Sequence, residues 1–399
     1  MNRQIRVLIA GAGIGGLTAA LALQKRGYDV RVYEQAAELR EVGAGLQLSP
    51  NGLRALYRLG LGEALRSFAS EPAGKNIRLW STGQTWKLFD LGATSVRQYG
   101  YPYFTIHRPK LHMLLADAVR ATKPDALMLG AQCIGFEQTA DGVVLKLADG
   151  REFRGDVLIG ADGVHSGIRK QLFGADQPKF SGCLAWRGVI AMERLPQHLR
   201  STVGTNWVGP GAHVIHYPLS GGTHMNFVGI VEREDWQVES WTQKGSHQEC
   251  HTDFKGWHDD VHDLIRNIDV PYKWALMARD PMQQWSCGRV TLLGDACHPT
   301  LPFLAQGAVM AVEDGYILAR CIEKHEADPA AALKKYEAAR IERTTRIVLR
   351  SSENGRRFHN PALGSADGAA PYVDREWAEA KVRERYDWLF RYNVDAVSI

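Results

Sequence analysis

The sequence lacks a basic stripe. Its 48 Lys and Arg stand scattered against 44 Asp and Glu, a formal net charge of +4. No cationic run interleaved with aromatics marks a nucleic-acid groove, so nucleic acid is not an expected partner. Cysteine is sparse: Cys133, Cys183, Cys250, Cys287, Cys297 and Cys321 are irregularly spaced and include no CxxC pair. Free thiols in a reducing, cytoplasmic compartment suit that pattern better than a disulfide framework. Internal repeats and low-complexity tracts are absent too. One long charge-free run exists, Val7 to Gln24, preceded by Arg3 and Arg6 and holding a signal-cleavage-like Ala20-Leu21-Ala22. Gly11, Gly13, Gly15 and Gly16 interrupt it where a continuous apolar helix would not want them, so neither a signal peptide nor a membrane partner is expected.

What is present is a large core. With 399 residues and 45% apolar content, the chain is long enough for two domains. Ile5 to Ala10 reads as a short strand, Ile14 to Arg26 as a helix ending at Gly27, and Asp29 to Glu34 as a second strand: one βαβ unit. Val143 to Leu147 and Val157 to Ile159 read as strands between turn signals. From about Phe180 to Lys273 the texture turns to alternating strands, Ala185 to Ala191, His213 to Tyr217 and Met225 to Val231, which predicts a mostly antiparallel sheet. Arg289 to Gly294 returns to a buried strand and Gly307 to Lys324 to a helix, so the first domain is expected to be discontinuous: residues 1–179 and 281–351, with 180–280 as a second domain and 352–399 as a C-terminal segment. Ala330 to Ser351 predicts a charged amphipathic helix, Asn360 to Pro371 a loop, and Arg375 to Arg391 a last helix.

Gly11-Ala12-Gly13-Ile14-Gly15-Gly16 holds GxGxxG between a strand and a helix. Gly11 permits the tight turn, Gly13 the approach of backbone to a pyrophosphate, and Gly16 close helix packing, while the helix N-terminus favours phosphate charge. Glu34 follows the second strand, where an acid accepts hydrogen bonds from adenosine ribose hydroxyls. This fingerprint alone does not separate FAD from NAD.

Two later motifs do. Gly160-Ala161-Asp162-Gly163-Val164-His165-Ser166-Gly167-Ile168-Arg169 and Gly294-Asp295-Ala296-Cys297-His298-Pro299 resemble the DG and GD motifs of the class A, single-component FAD-dependent aromatic hydroxylases. The resemblance spans nearly the whole chain. It implies an α/β fold like that of p-hydroxybenzoate hydroxylase: a Rossmann-like FAD-binding domain, a mixed β-sheet substrate domain and a C-terminal helical segment. It implies that Asp295 contacts the FAD ribose, that Asp162 lies near FAD and the pyridine nucleotide, and that Arg108, in His107-Arg108-Pro109, reaches the diphosphate. For either aspartate, the plainer alternative is a strand-ending turn with a helix cap. Gly43-Ala44-Gly45-Leu46-Gln47 resembles the small-residue loop beside the flavin ring, and Pro302, Gln306, Gly307 and Ala308 match the segment that meets that ring and opens the next helix.

The implied reaction uses bound FAD, O2 and a transient NADH or NADPH, NADH ahead. Reduced flavin and oxygen give a peroxyflavin, which attacks an electron-rich ring in a site that excludes water. A phenol becomes electron-rich on deprotonation, which calls for a base matched to neutral pH. His213, in Gly211-Ala212-His213-Val214-Ile215-His216-Tyr217, matches the histidine assigned that role in 3-hydroxybenzoate 6-hydroxylases and hydroxynicotinate hydroxylases, and Tyr217 matches a residue that faces substrate there. On a strand His213, Ile215 and Tyr217 share a face and His216 points away. From the residues alone, both are ordinary half-buried polar groups. Arg187 reads equally as an attractor of a substrate carboxylate or as an exposed charge on the sheet. Because Pro302 is closer to salicylate and hydroxynicotinate hydroxylases, salicylate is the first expected substrate, with 3-hydroxybenzoate and 6-hydroxynicotinate behind it. A homodimer is compatible with this reading. The rival classes are a flavin halogenase or reductase, the former lacking its WxWxIP signature here, and a non-catalytic FAD protein. His247, Cys250, His251, His258 and His262 form a local cluster, read as a solvated helix rather than a metal site because no HExxH pattern is present.

Overall fold

The computed structural model describes residues 5–39, 45–233, 235 and 243–399. Gly43 and Ala44 of the small-residue loop therefore lie outside the described residues.

A parallel strand has to be covered on both faces, and Arg6–Ala10 meets that demand: Val7, Leu8, Ile9 and Ala10 are fully buried. It sits inside a six-stranded sheet, in the order Ser286–Cys287, Val290–Leu292, Val157–Gly160, Arg6–Ala10, Asp29–Tyr33, Leu127–Met128. All neighbours are parallel except the first pair. The strands from 286–292 join those from 6–33 across more than 250 residues of chain, so this unit is discontinuous in sequence. Helix Ile14–Gln24 is buried along its whole length rather than on one stripe. It packs between helices Gly307–Lys324 and Arg108–Thr122, and Gly315 permits the contact, since a Cβ there would stand 2.6 Å from the Ala19 nitrogen.

The second layer is a seven-stranded sheet in the order Tyr272–Ala278, Lys179–Ala191, His224–Glu232, Ala212–Leu219, Gly204–Gly209, Gly74–Leu79, Thr85–Asp90. One face packs Trp186, Trp207, Val214 and Phe227 against Phe254, Val261, Leu264 and Ile265 of the helical segment 247–266. The other face, with Ala185, Ile230 and Leu276, packs against Phe303. Residues 74–90, grouped by the sequence reading with the nucleotide-binding part, belong to this sheet instead. Gly74–Leu79 lies parallel to Gly204–Gly209, a long-range pairing that no local pattern announces.

The C-terminal segment also departs from expectation. The helix read as Ala330 to Ser351 runs from Pro329 to Phe358. The Gly/Ala/Pro-rich stretch from Asn360 is a tight turn, Pro361–Gly364, followed by helix Ala366–Glu376, in which Pro371 is tolerated. Ser365 caps that helix by accepting from the Gly368 amide. The last helix breaks at Trp377, whose ring stacks on Phe358 at 6.2 Å, and resumes over Glu379–Phe390.

Candidate active site

The glycine loop, the DG segment and the GD segment converge at the C-terminal ends of the first sheet. Gly11 has φ +102°, and a Cβ there would lie 2.4 Å from the Ala161 carbonyl oxygen, so only glycine lets the loop touch the DG strand end. A Cβ on Gly16 would meet the Gly11 carbonyl at 2.1 Å and one on Gly15 would meet Leu293, whereas Gly13 faces open space. Glu34 accepts the Ala12 amide at 2.8 Å and the Ala36 amide at 2.9 Å, which brings its carboxylate to the loop. Asp162 accepts from Ser166 Oγ and from the Ile168 amide at 3.1 Å, so it engages the first turn of helix Gly167–Phe173. Burial raises its carboxyl. Arg169 locks the two motifs together: it is buried and donates to the carbonyls of Ala296 and Val164, both at 2.8 Å.

Asp295 opens toward the cleft beyond the GD turn, yet protein crowds around it and raises its carboxyl, while His298 and Arg108 pull the other way. The charge of Arg108 acts on Arg187 as well, whose guanidinium burial and Arg108 bring down to about 10. Arg187 is 2% exposed and lies over the rings of Trp274 and Tyr272, so it is a buried cation on the cleft-facing side and not a surface charge. An open glycine turn at a helix N-terminus, two acids and a cation around one cleft form a donor and acceptor set that fits FAD. Gly13 and the Ile14–Gln24 N-terminus would take the diphosphate with Arg108, Glu34 the adenosine ribose, and Asp295 the hydroxyls nearer the ring.

Behind this cleft runs a buried network that the sequence reading missed. Asp314 accepts from His298 Nε2 at 2.6 Å and Arg340 Nε at 2.7 Å, and Glu313 pairs with Arg340 and Arg343 at 2.8 Å. Burial opposes ionisation of both acids, but Arg343 and Arg340 beside Glu313, and His298 and Arg340 beside Asp314, hold them below their ordinary values. Asn51 bridges Glu313 to Gln306, and Gln306 donates to Ser49 Oγ at 3.0 Å. The Gln306 side chain is thus directed inward, fixing the N-terminus of the Gly307 helix, while Gly307 and Ala308 stay partly open at that end.

The cleft-facing side of the large sheet carries the remaining candidates. His213 and Tyr217 both lie on it, at its two ends, with half-buried Ile215 and Val228 between them. His213 is fully buried and packs against Phe303 at 5.4 Å. Pro302 is exposed, so its neighbour Phe303 makes that contact. His213 Nδ1 meets His359 Nε2 at 2.6 Å, and its Nε2 has no hydrogen-bond partner. Burial and the facing His359 push its pKa well below the ordinary 6.5. His216 points to the opposite face near Arg78 and Asp260, and burial takes it down to about 4.

At the Tyr217 end a polar group assembles from four segments. Asn226 is the cross-strand partner of Tyr217, Lys75 that of Gly204, and a Cβ on Gly204 would lie 3.6 Å from both Tyr217 and Lys75. Gly45 donates its amide to Asn226 Oδ1 at 2.7 Å and has no room for a Cβ, which would meet Tyr217 and Asn226 at 2.8 Å. Gln47 Oε1 accepts from Lys75 Nζ at 2.5 Å and Tyr103 OH at 2.8 Å, and Lys75 Nζ lies 2.9 Å from Tyr103 OH. Among the described residues no carboxylate pairs with Lys75, and burial lowers its ammonium to about 7. Sequence reading missed Lys75, although a signal existed: by strand alternation Lys75 shares a face with the fully buried Ile77 and the buried Leu79.

The five residues of the His/Cys cluster do not converge. Cys250 is in the core, His247 bonds the Ile268 carbonyl, His258 caps helix Asp259–Arg266, and only His251 and His262 meet, at 2.8 Å.

Residues 4–351 match the family described as FAD binding domain. The chain belongs to this family of FAD-dependent aromatic hydroxylases. It is similar to a 3-amino-4-hydroxybenzoate 2-monooxygenase from Streptomyces platensis, 38% identical over 98% of this chain and 97% of the relative. A 3-hydroxybenzoate 6-hydroxylase from Polaromonas naphthalenivorans is 37% identical over 97% and 96%, and a 6-hydroxynicotinate 3-monooxygenase from Pseudomonas fluorescens 38% over 89% and 92%. Among solved structures, Klebsiella pneumoniae HpxO complexed with FAD and uric acid superposes with a TM-score of 0.82 at 28% identity, covering 98% of this chain and 97% of that one. A salicylate hydroxylase substrate complex gives 0.82 at 27% identity, covering 99% and 97%. This chain is an FAD-dependent monooxygenase, and among the described residues no helix is long and apolar enough to cross a membrane.

Proposed function

We propose that the enzyme hydroxylates a monohydroxylated aromatic carboxylate whose hydroxyl lies meta or para to the carboxylate, with NADH as hydride donor. The observation that carries this reading is the separation of two poles on one sheet face. At one end Lys75 offers a cation suited to a carboxylate, held in place by Gln47 and Tyr103. At the other, His213 Nε2 is a buried nitrogen without a partner, suited to accept a phenolic proton. His213 and Tyr217 stand four positions apart, about 13 Å along the strand. A meta or para ring spreads its two groups toward the two poles, whereas an ortho acid such as salicylate, with its groups adjacent, presents both to one pole. The substrates named for the three sequence relatives carry their hydroxyl apart from the carboxylate, which supports placing 3-hydroxybenzoate, 3-amino-4-hydroxybenzoate and 6-hydroxynicotinate ahead of salicylate.

FAD, when bound and reduced, supplies the activated oxygen. The chain's own residues hold the acid at Lys75, take the hydroxyl proton at His213 Nε2, and shield the ring with Phe303, Leu301 and Ile215. Titration of the FAD-loaded enzyme, followed through flavin absorbance, tests the ordering. At least one meta or para acid binds about tenfold or more tighter than salicylate, the worth of one lost charged hydrogen bond; salicylate binding as tightly as all of them contradicts it.

A further inference from the structure

His213 is sealed inside the protein, so a proton it accepts needs a way out. The structure provides a graded path. His213 Nδ1 lies 2.6 Å from His359 Nε2, and His359 Nδ1 lies 2.8 Å from Glu232 Oε1. Exposure rises along it: His213 is fully buried, the His359 side chain is 3% exposed, and that of Glu232 is 57% exposed. We propose that His359 and Glu232 form a proton relay that carries the substrate's hydroxyl proton from His213 to solvent. The inference rests on the reading of His213 as the base.

Hydrogen-bond chemistry fixes the direction of the chain. The Glu232 carboxylate can only accept, so His359 Nδ1 carries a hydrogen, and the Nε2 of a neutral His359 is then an acceptor. His213 Nδ1 must therefore donate, which leaves its Nε2 with a lone pair and no partner. Burial favours the neutral form of both rings, in keeping with this assignment. When the substrate O–H bond breaks, its proton goes to His213 Nε2. The hydrogen on His213 Nδ1 passes to His359 Nε2, and the one on His359 Nδ1 passes to Glu232 and on to water. The result is a bound phenolate and one proton in solvent, with both imidazoles neutral again.

The scaffold holds this line from three sides. His359 ends the long helix Pro329–Phe358, and its carbonyl accepts the Gly211 amide at 3.1 Å. Gly211 in turn accepts the Glu232 amide at 2.8 Å, so one turn clamps both relay members. The same helix end holds the segment beside His213, through Asn354 Nδ2 donating to the Phe303 carbonyl at 2.7 Å and through Gly355, where a Cβ would lie 2.6 Å from the Phe303 ring.

The test mixes the oxidised, FAD-loaded enzyme with a hydroxylated aromatic acid in weak buffer, reading phenolate absorbance and proton release to an indicator dye. His359→Gln keeps an acceptor for His213 but cannot pass a proton on; it is expected to slow proton release about tenfold or more while the acid still binds. His359→Ala is expected to be equally slow and to recover as imidazole is added, which a merely structural role would not produce. Wild-type release rates in His359→Gln would overturn the relay while leaving His213 as base. Absence of phenolate and of proton release in the wild-type enzyme with every acid that binds would overturn the base, and the relay with it.

Discussion

Lys75 and His216 show how one residue's surroundings can set its chemistry. Lys75 sits with its ammonium at about 7 and without a carboxylate partner among the described residues, so a bound carboxylate is what would keep it charged. Replacing it, Lys75→Met, is expected to weaken binding of the aromatic acid about 10- to 100-fold, the worth of one charge-assisted hydrogen bond, with the flavin spectrum of the free enzyme unchanged. A titration of the acid checks it. His216 has a different consequence. With its folded pKa depressed to about 4, the unfolded chain takes up that proton first as pH falls, so stability present above about 6.5 is lost progressively between 6.5 and 4. The loss amounts to about 3 kcal/mol for this one group. His216→Phe is expected to flatten the pH dependence of the urea midpoint over that window. Neither feature follows from composition, yet alternation along the two strands already places Lys75 inward and His216 opposite His213.

At the scale of elements, the strand–turn–helix that opens the chain was readable almost to the residue, because Gly11, Gly15 and Gly16 answer steric demands and helix Ile14–Gln24 starts inside the GxGxxG motif, just after Gly13. Gly11→Ala should drive a methyl into the Ala161 carbonyl at a φ only glycine accepts, with loss of retained FAD on purification as the readout. The Gly307 helix was legible too, but not the reason it is held. Glu313 and Asp314 look like ordinary helix charges until helix Pro329–Phe358 brings Arg340 and Arg343 across them, and both acids are then fully buried. Arg340→Leu removes the one cation shared by two buried carboxylates, leaving Glu313 to Arg343 and Asp314 to His298, and is expected to cost about 3 kcal/mol or more in denaturant unfolding. The region after residue 360 misled because Gly and Pro counts suggested a loop, whereas Ser365 capping and the packing of Tyr372, Val373 and Trp377 make it helical.

Over the whole molecule, what sequence conveys well is what is local. Motifs of a few residues meet at one cleft, as contacts such as Arg169 to Ala296 show. What it conveys poorly is what comes together from afar. The carboxylate pole draws on residues 45–47, 75, 103 and 217–226, and the path away from His213 uses a histidine 146 residues distant. Residues 74–90 join the seven-stranded sheet for the same reason: register with Gly204–Gly209 is decided by a long-range pairing.

The central claim is hydroxylation of a ring whose hydroxyl and carboxylate lie apart. Its most direct measurement supplies the FAD-loaded enzyme with NADH, air and, separately, 3-hydroxybenzoate, 3-amino-4-hydroxybenzoate, 6-hydroxynicotinate and salicylate, and follows NADH, O2 and product together. The account predicts that at least one of the first three is hydroxylated with equal consumption of NADH and O2. Product from salicylate alone, or from none of the four, would contradict it.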